Sequence, residues 1–69
     1  MEGQERYLTP KAVEELTGIK RQTLANARHL GVGIPYYKVY RSIRYKLSDV
    51  MAFMEARRVD PQGRREVLP

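Results

Sequence analysis

Glycine and proline divide this chain into pieces too short for anything but a small mixed domain. Gly18, Gly31, Gly33 and Pro35 stand where apolar helical patterns stop, and these residue types end helices most readily. The spacing leaves a first helix ending near Thr17, a second over about Lys20–Leu30, and an extended segment after Pro35. A three- or four-residue turn with a glycine between two helices is the signature of a helix-turn-helix. With 69 residues in all, the core must be small and single.

Charge is sorted along the same segments. Lys20, Arg21, Arg28, Lys38, Arg41, Arg44 and Lys46 fall in one span, Lys20 to Lys46, that holds no carboxylate. All eight acids lie outside it, against six further bases. A packed core does not require such segregation, whereas a surface for a polyanion does. The net charge of +5 and the pI near 9.9 point the same way, to nucleic acid.

The composition excludes other classes. Without cysteine there is no disulfide framework and no thiolate metal site. The single histidine, His29, has basic neighbours, so neither a zinc centre nor a catalytic dyad can form around it, and no phosphate-loop pattern occurs. No enzyme activity, cofactor or metal is expected. Residues 1–6 carry no apolar run of the signal-peptide kind, and no stretch approaches the roughly 20 apolar residues of a membrane span. The expected setting is cytosolic, with no membrane partner.

Taken in order, residues 1–6 read as a frayed end. Thr9 is an N-cap and Pro10 suits the first helical position, where a missing N–H costs nothing. Ala12, Val13 and Leu16 share one face and are expected inside. Glu14 and Glu15 are expected to point away from any phosphates. In the second helix Leu24 centres the buried face, with Lys20, Ala27 and Gly31 near it and Arg21 and Arg28 at its flanks. Gln22, Ala25, Asn26 and His29 then project outward. Exposed helices ordinarily mix Glu and Lys for i,i+4 pairing; this one carries no acid. Its Gln and Asn are the types that read adenine edges in the major groove. The alternative is an ordinary solvated face.

Beyond Pro35, Tyr37, Val39, Ile43, Tyr45 and Leu47 alternate with Lys38, Arg44 and Lys46, the period of a half-buried strand pair. Pairing Val39 with Ile43 and Tyr37 with Tyr45 keeps the apolar residues on one face. That register makes a three-residue loop, Tyr40-Arg41-Ser42, with Arg41 at the tip. Lys38, Arg44 and Lys46 line the outer side. Arginine at a hairpin tip suits a narrow, negative minor groove; the competing role is a charged edge that blocks aggregation. Ser48-Asp49 reads as the cap of a third helix running to about Arg58. There Val50, Phe53 and Met54 face the first helix, and Arg57 and Arg58 occupy the last turn. Residues 59–69 read as a flexible basic tail, in which Val67-Leu68 could dock on a neighbour.

Two strings, YLTPKAVEELTGIKRQTL and IPYYKVYRSIRYKLSDVMAFM, resemble the excisionase-type winged helix-turn-helix proteins, small relatives of MerR-like regulators. The match covers residues 7 to about 58. Its most specific parts are Thr23-Leu24, Pro35 to Val39, Arg44-Tyr45 and Ser48-Asp49-Val50. The resemblance implies a recognition helix from near Lys20 and a wing over residues 36–46. It places Arg21, Gln22 and Asn26 in one groove and Arg41 and Arg44 in the next. It also implies a recombination role: an architectural protein of a phage or mobile element that bends DNA in a bacterial or phage-infected cell, assists an integrase, and binds beside other copies of itself. Ala25-Asn26 stands where the family more often has tyrosine and arginine, and Tyr40 where the wing often has glycine. The expected architecture is therefore mainly α, three helices with a two-stranded antiparallel wing, over residues 7–58. Candidate DNA contacts are Lys20, Arg21, Gln22, Asn26, His29, Lys38, Arg41, Arg44, Lys46 and Arg58. A small transcriptional regulator, or a protein-interaction module with an acidic partner, are the other functions this sequence admits.

Overall fold

A computed structural model describes residues 5–61; most of the expected frayed end (1–6) and basic tail (59–69) lies outside the described residues, Val67-Leu68 included. The elements run β1 (Tyr7–Leu8), α1 (Pro10–Thr17), α2 (Arg21–Leu30), β2 (Tyr37–Val39), β3 (Ser42–Lys46) and α3 (Leu47–Ala56). Three helices thus accompany a three-stranded antiparallel sheet of order β1-β3-β2. This is a winged helix-turn-helix arrangement, with one strand more than the wing alone supplies. The added strand, β1, pairs Tyr7 with Lys46 and Leu8 with Tyr45. Leu47 N–H donates to the Arg6 carbonyl at 2.8 Å and extends that ladder.

The turn between α1 and α2 follows from local chemistry. Thr9 Oγ1 accepts the Ala12 N–H at 3.0 Å, and Pro10 opens α1. Gly18, at φ +82°, ends it with its N–H on the Glu14 carbonyl. Such a left-handed residue costs an L side chain about 1–2 kcal/mol and glycine almost nothing. Thr17 Oγ1 donates to the Val13 carbonyl and accepts the Ile19 N–H, so the hydroxyl stitches the turn to the helix before it. At the far end of α2, Gly31 (φ +76°) closes the helix and Val32 N–H reaches back to the Ala27 carbonyl at 2.9 Å. This C-terminal closure drops Ile34 into the interior.

The core comprises Leu8, Val13, Leu24, Ile34, Tyr45 and Val50, with Ala12, Ile19, Ile43, Leu47 and Phe53 packed against it. Each of its fully buried aliphatic side chains contributes about 1.5–3 kcal/mol. Two helix residues expected inside are not. Leu16 is half exposed and Met54 is exposed, because β1 and β3 fill the position that a closer approach of α3 to α1 would take. Ile34, which the alternating pattern left unassigned, is buried instead. The third helix also begins earlier than Ser48-Asp49 predicted. Lys46 is its N-cap and makes no side-chain cap, while Ser48 Oγ donates to Glu5 Oε1 at 3.1 Å. It ends at Ala56, so Arg57 and Arg58 follow the helix rather than occupy its last turn.

The hairpin register differs by one residue from the expected one. Val39 pairs with Ser42, Lys38 with Ile43 and Tyr37 with Arg44, leaving a two-residue loop, Tyr40-Arg41. On β3 the alternation holds, with Ile43 and Tyr45 inward. On β2 it is inverted: Lys38 shares the Ile43 face, while Tyr37 and Val39 lie on the outer face with Arg44 and Lys46. Tyr37 is retained there by Tyr7, whose ring meets it edge-on at 5.5 Å across β3. A pair of this kind contributes about 0.5–1.5 kcal/mol beyond area burial. The tight loop obliges Tyr40 to adopt φ +58°, at a cost of about 1–2 kcal/mol.

Candidate nucleic-acid interface

The turn sequence Thr17-Gly18-Ile19-Lys20 sets how α2 starts. Lys20, expected within the helix near its buried face, is instead its exposed N-cap residue and offers no side-chain cap. The cap comes from α1. Glu14 Oε1 accepts the Arg21 backbone N–H at 3.1 Å and Arg21 Nε at 2.8 Å. The carboxylate therefore complements both the helix N-terminus and the first arginine of the acid-free span. These two hydrogen bonds, backbone first, hold the Glu14 carboxyl below the usual glutamate range. The expectation that Glu14 points away from the interface is corrected: it sits at the leading end of α2.

Gln22, Asn26 and His29 are exposed on α2, as is Thr23 beside them. Gln22 Nε2 donates to Asn26 Oδ1 at 3.0 Å, which orients the two amides as a unit. Arg28 is turned the other way. Its guanidinium donates to the Tyr45 hydroxyl and lies 5.8 and 5.9 Å from the Tyr36 and Tyr45 ring centroids. Tyr36 and Tyr45 are themselves 6.2 Å apart. The cation is within the range of attraction to both ring faces. It ties α2 to β3 and to the approach of β2, so helix and wing are held in one relation. Nothing in the local pattern marks Arg28 for this task, since its partner lies 17 residues away.

On the wing, Arg41 and Tyr40 form the tip, and both are exposed. Arg44 is half-buried: its Nη1 donates to the Ile43 carbonyl at 2.8 Å, and its stem lines an outer-face hollow with Tyr7, Tyr37 and Val39. Lys46 is half-buried at the start of α3, and Lys38 stands exposed on the opposite side of the hairpin from Arg44. Not all candidate contacts of the wing thus line one side, as the longer loop had implied. Arg58 lies beyond α3, exposed, while the adjacent Arg57 stacks on Phe53 at 3.5 Å. The structure thus groups Arg21, Gln22, Asn26 and His29 on one short helix. Arg41, Arg44 and Lys38 share the hairpin, and Arg58 stands apart from both.

No group of three or more His, Asp or Glu able to hold a metal ion occurs among the described residues. No helix among them is long and apolar enough to cross a membrane. An apolar cavity of about 280 Å³ lies beneath α2, lined by Leu24, Ala27, Ile34, Tyr45 and Phe53, with Arg28 at its margin.

Residues 7–58 match the family described as helix-turn-helix domain. No curated protein and no solved structure matches the chain. Domains of this kind place a second helix in the major groove of DNA, and α2 is the second helix of this chain.

Proposed function

The chain belongs to the helix-turn-helix domain family, and on that footing we propose that it binds duplex DNA sequence-specifically and bends it, as an excisionase-like partner of an integrase. In this reading α2 enters a major groove, where Gln22 and Asn26 meet base edges. The wing then reaches the adjacent minor groove through Arg41, with Arg44 and Lys38 on phosphates. The protein acts by binding and has no catalytic step.

One observation carries the reading: Arg28, bonded to Tyr45, locks an acid-free helix to a basic hairpin. Contacts on both sides of a bend are what return the energy of bending, on the order of 1–6 kcal/mol for 40–90° over 20–30 base pairs. A rigid link between helix and wing lets both engage at once. Several copies are proposed to bind side by side on direct repeats.

The test starts from duplexes selected by the protein from a randomised pool. Circularly permuted fragments of the selected site run on a gel report bending, and a recombination assay with the integrase scores excision and integration separately. Bent DNA and a shift toward excision are expected. Straight DNA with no effect on recombination would leave a small transcriptional regulator as the function.

A further inference from the structure

We propose that Tyr40 is a wedge that enters the minor groove ahead of Arg41 and stacks against a partly opened base step. The inference rests on the DNA-binding reading above and assigns the wing tip a task that the arginines alone do not perform.

Three observations lead to it. First, the other four tyrosines have ring partners: Tyr7 meets Tyr37, and Tyr36 meets Tyr45. Tyr40 has none among the described residues, nor a side-chain hydrogen bond, and at 93% it is the most exposed large apolar residue. Second, it is the one non-glycine described residue with positive φ, +58°. Glycine at the same place would relieve the backbone and remove the exposed ring together. The tight turn sets this φ, yet among the described residues nothing covers the ring that glycine would have spared it, and an outlier of this kind points outward, to function. Third, the ring sits beside the exposed Arg41 on a two-residue turn, within a span that carries no acid.

The chemistry selects the partner. A narrow hairpin tip fits a minor groove about 6 Å wide, and the neighbouring guanidinium is attracted by the potential there. Minor-groove proteins kink the duplex by driving an apolar side chain between base steps. An aromatic ring suits this because every base offers a π-face. A protein partner fits less well. The aromatic anchor of a protein interface is ringed by neighbours that exclude water, whereas Arg41 and Ser42 flank this one.

The experiment uses the full chain and a selected duplex carrying 2-aminopurine at successive steps on the wing side. Tyr40→Phe keeps the ring; Tyr40→Gly removes it and relaxes the turn, so a loss of binding cannot come from unfolding. Wild type and Tyr40→Phe are expected to raise the fluorescence at one step and to bend the DNA. Tyr40→Gly should abolish the signal, straighten the fragment and bind roughly tenfold more weakly. If Tyr40→Gly binds and bends like wild type while Asn26→Ala loses the site, the wedge is wrong and the DNA reading stands. If Tyr40→Gly disturbs only the association of copies along the DNA, with the fluorescence unchanged, the wedge is again wrong. If the wild type binds no duplex from the pool, both readings fall.

Discussion

Two of the seven cations between Lys20 and Lys46 are already held by other side chains of the protein, and salt titration should expose this. Arg28 is held by Tyr45 and Tyr36, and Arg21 by Glu14. Lys20, Lys38, Arg41, Arg44 and Lys46 remain for phosphates. Five neutralised phosphates give a slope of log affinity on log salt of about −4.5, so a fourfold rise in salt weakens binding roughly 500-fold. All seven would give about −6.3 and a loss of roughly 6,000-fold. The decisive comparison is between two arginines of equal charge. Arg41→Ala should flatten the slope to about −3.6 and leave the melting temperature alone. Arg28→Met should leave the slope near its wild-type value and destabilise the fold by about 1–3 kcal/mol, because the buried Tyr45 hydroxyl loses a charged donor. In a domain of this size each kcal/mol lowers Tm by about 4–8 °C. Fluorescence anisotropy across a salt series, beside thermal unfolding of the same variants, measures both quantities. A flattened slope with unchanged Tm in Arg28→Met would refute the internal role of that residue. A flat slope in the wild type would refute phosphate binding altogether.

Glu14→Gln should release Arg21, raise DNA affinity and steepen the salt slope by up to about 0.9. Because the Glu14 carboxyl is held below its usual range, its contribution to stability is present above the ordinary glutamate pKa and is lost as pH falls through the lower, folded value. Tm followed from about pH 5 down to about pH 3 should therefore decline less steeply in Glu14→Gln than in wild type. Gln22→Ala and Asn26→Ala each break one exposed amide pair, so stability should change by no more than about 0.5 kcal/mol. Competition between selected and random duplexes should nonetheless show a loss of about 1–3 kcal/mol of site preference. Gly33 has φ +93°, and a Cβ there would stand 2.9 Å from the Ala27 Cβ. Gly33→Ala should cost at least about 1–2 kcal/mol on denaturant unfolding, and Ala27→Gly in the same chain should recover only the contact and not the backbone strain.

Where an element depends on residues within a turn or so of one another, the sequence was sufficient. Thr9-Pro10 starts α1 and Gly18 ends it because a hydroxyl acceptor, a fixed φ and a missing Cβ act on the adjacent backbone alone. Leu24 at the centre of the inner face of α2, with Gln22, Asn26 and His29 outside, follows from 3.6 residues per turn. The inward alternation of β3 was legible for the same kind of reason. The pairing of β2 was not, since a period of two is unchanged by a slip of one residue until something distant chooses between the faces. Here Tyr7, on a strand that no local signal announced, receives Tyr37 on the outer face, and the tight loop leaves Tyr40 with a positive φ. Glu14 reaching Arg21, Arg28 reaching Tyr45, and Leu16 left half exposed likewise involve groups apart in sequence. Local propensity set which segments become helix or strand. Only the packed arrangement decided which charges remain free for DNA, because pairing between distant groups is resolved once the core has brought them together.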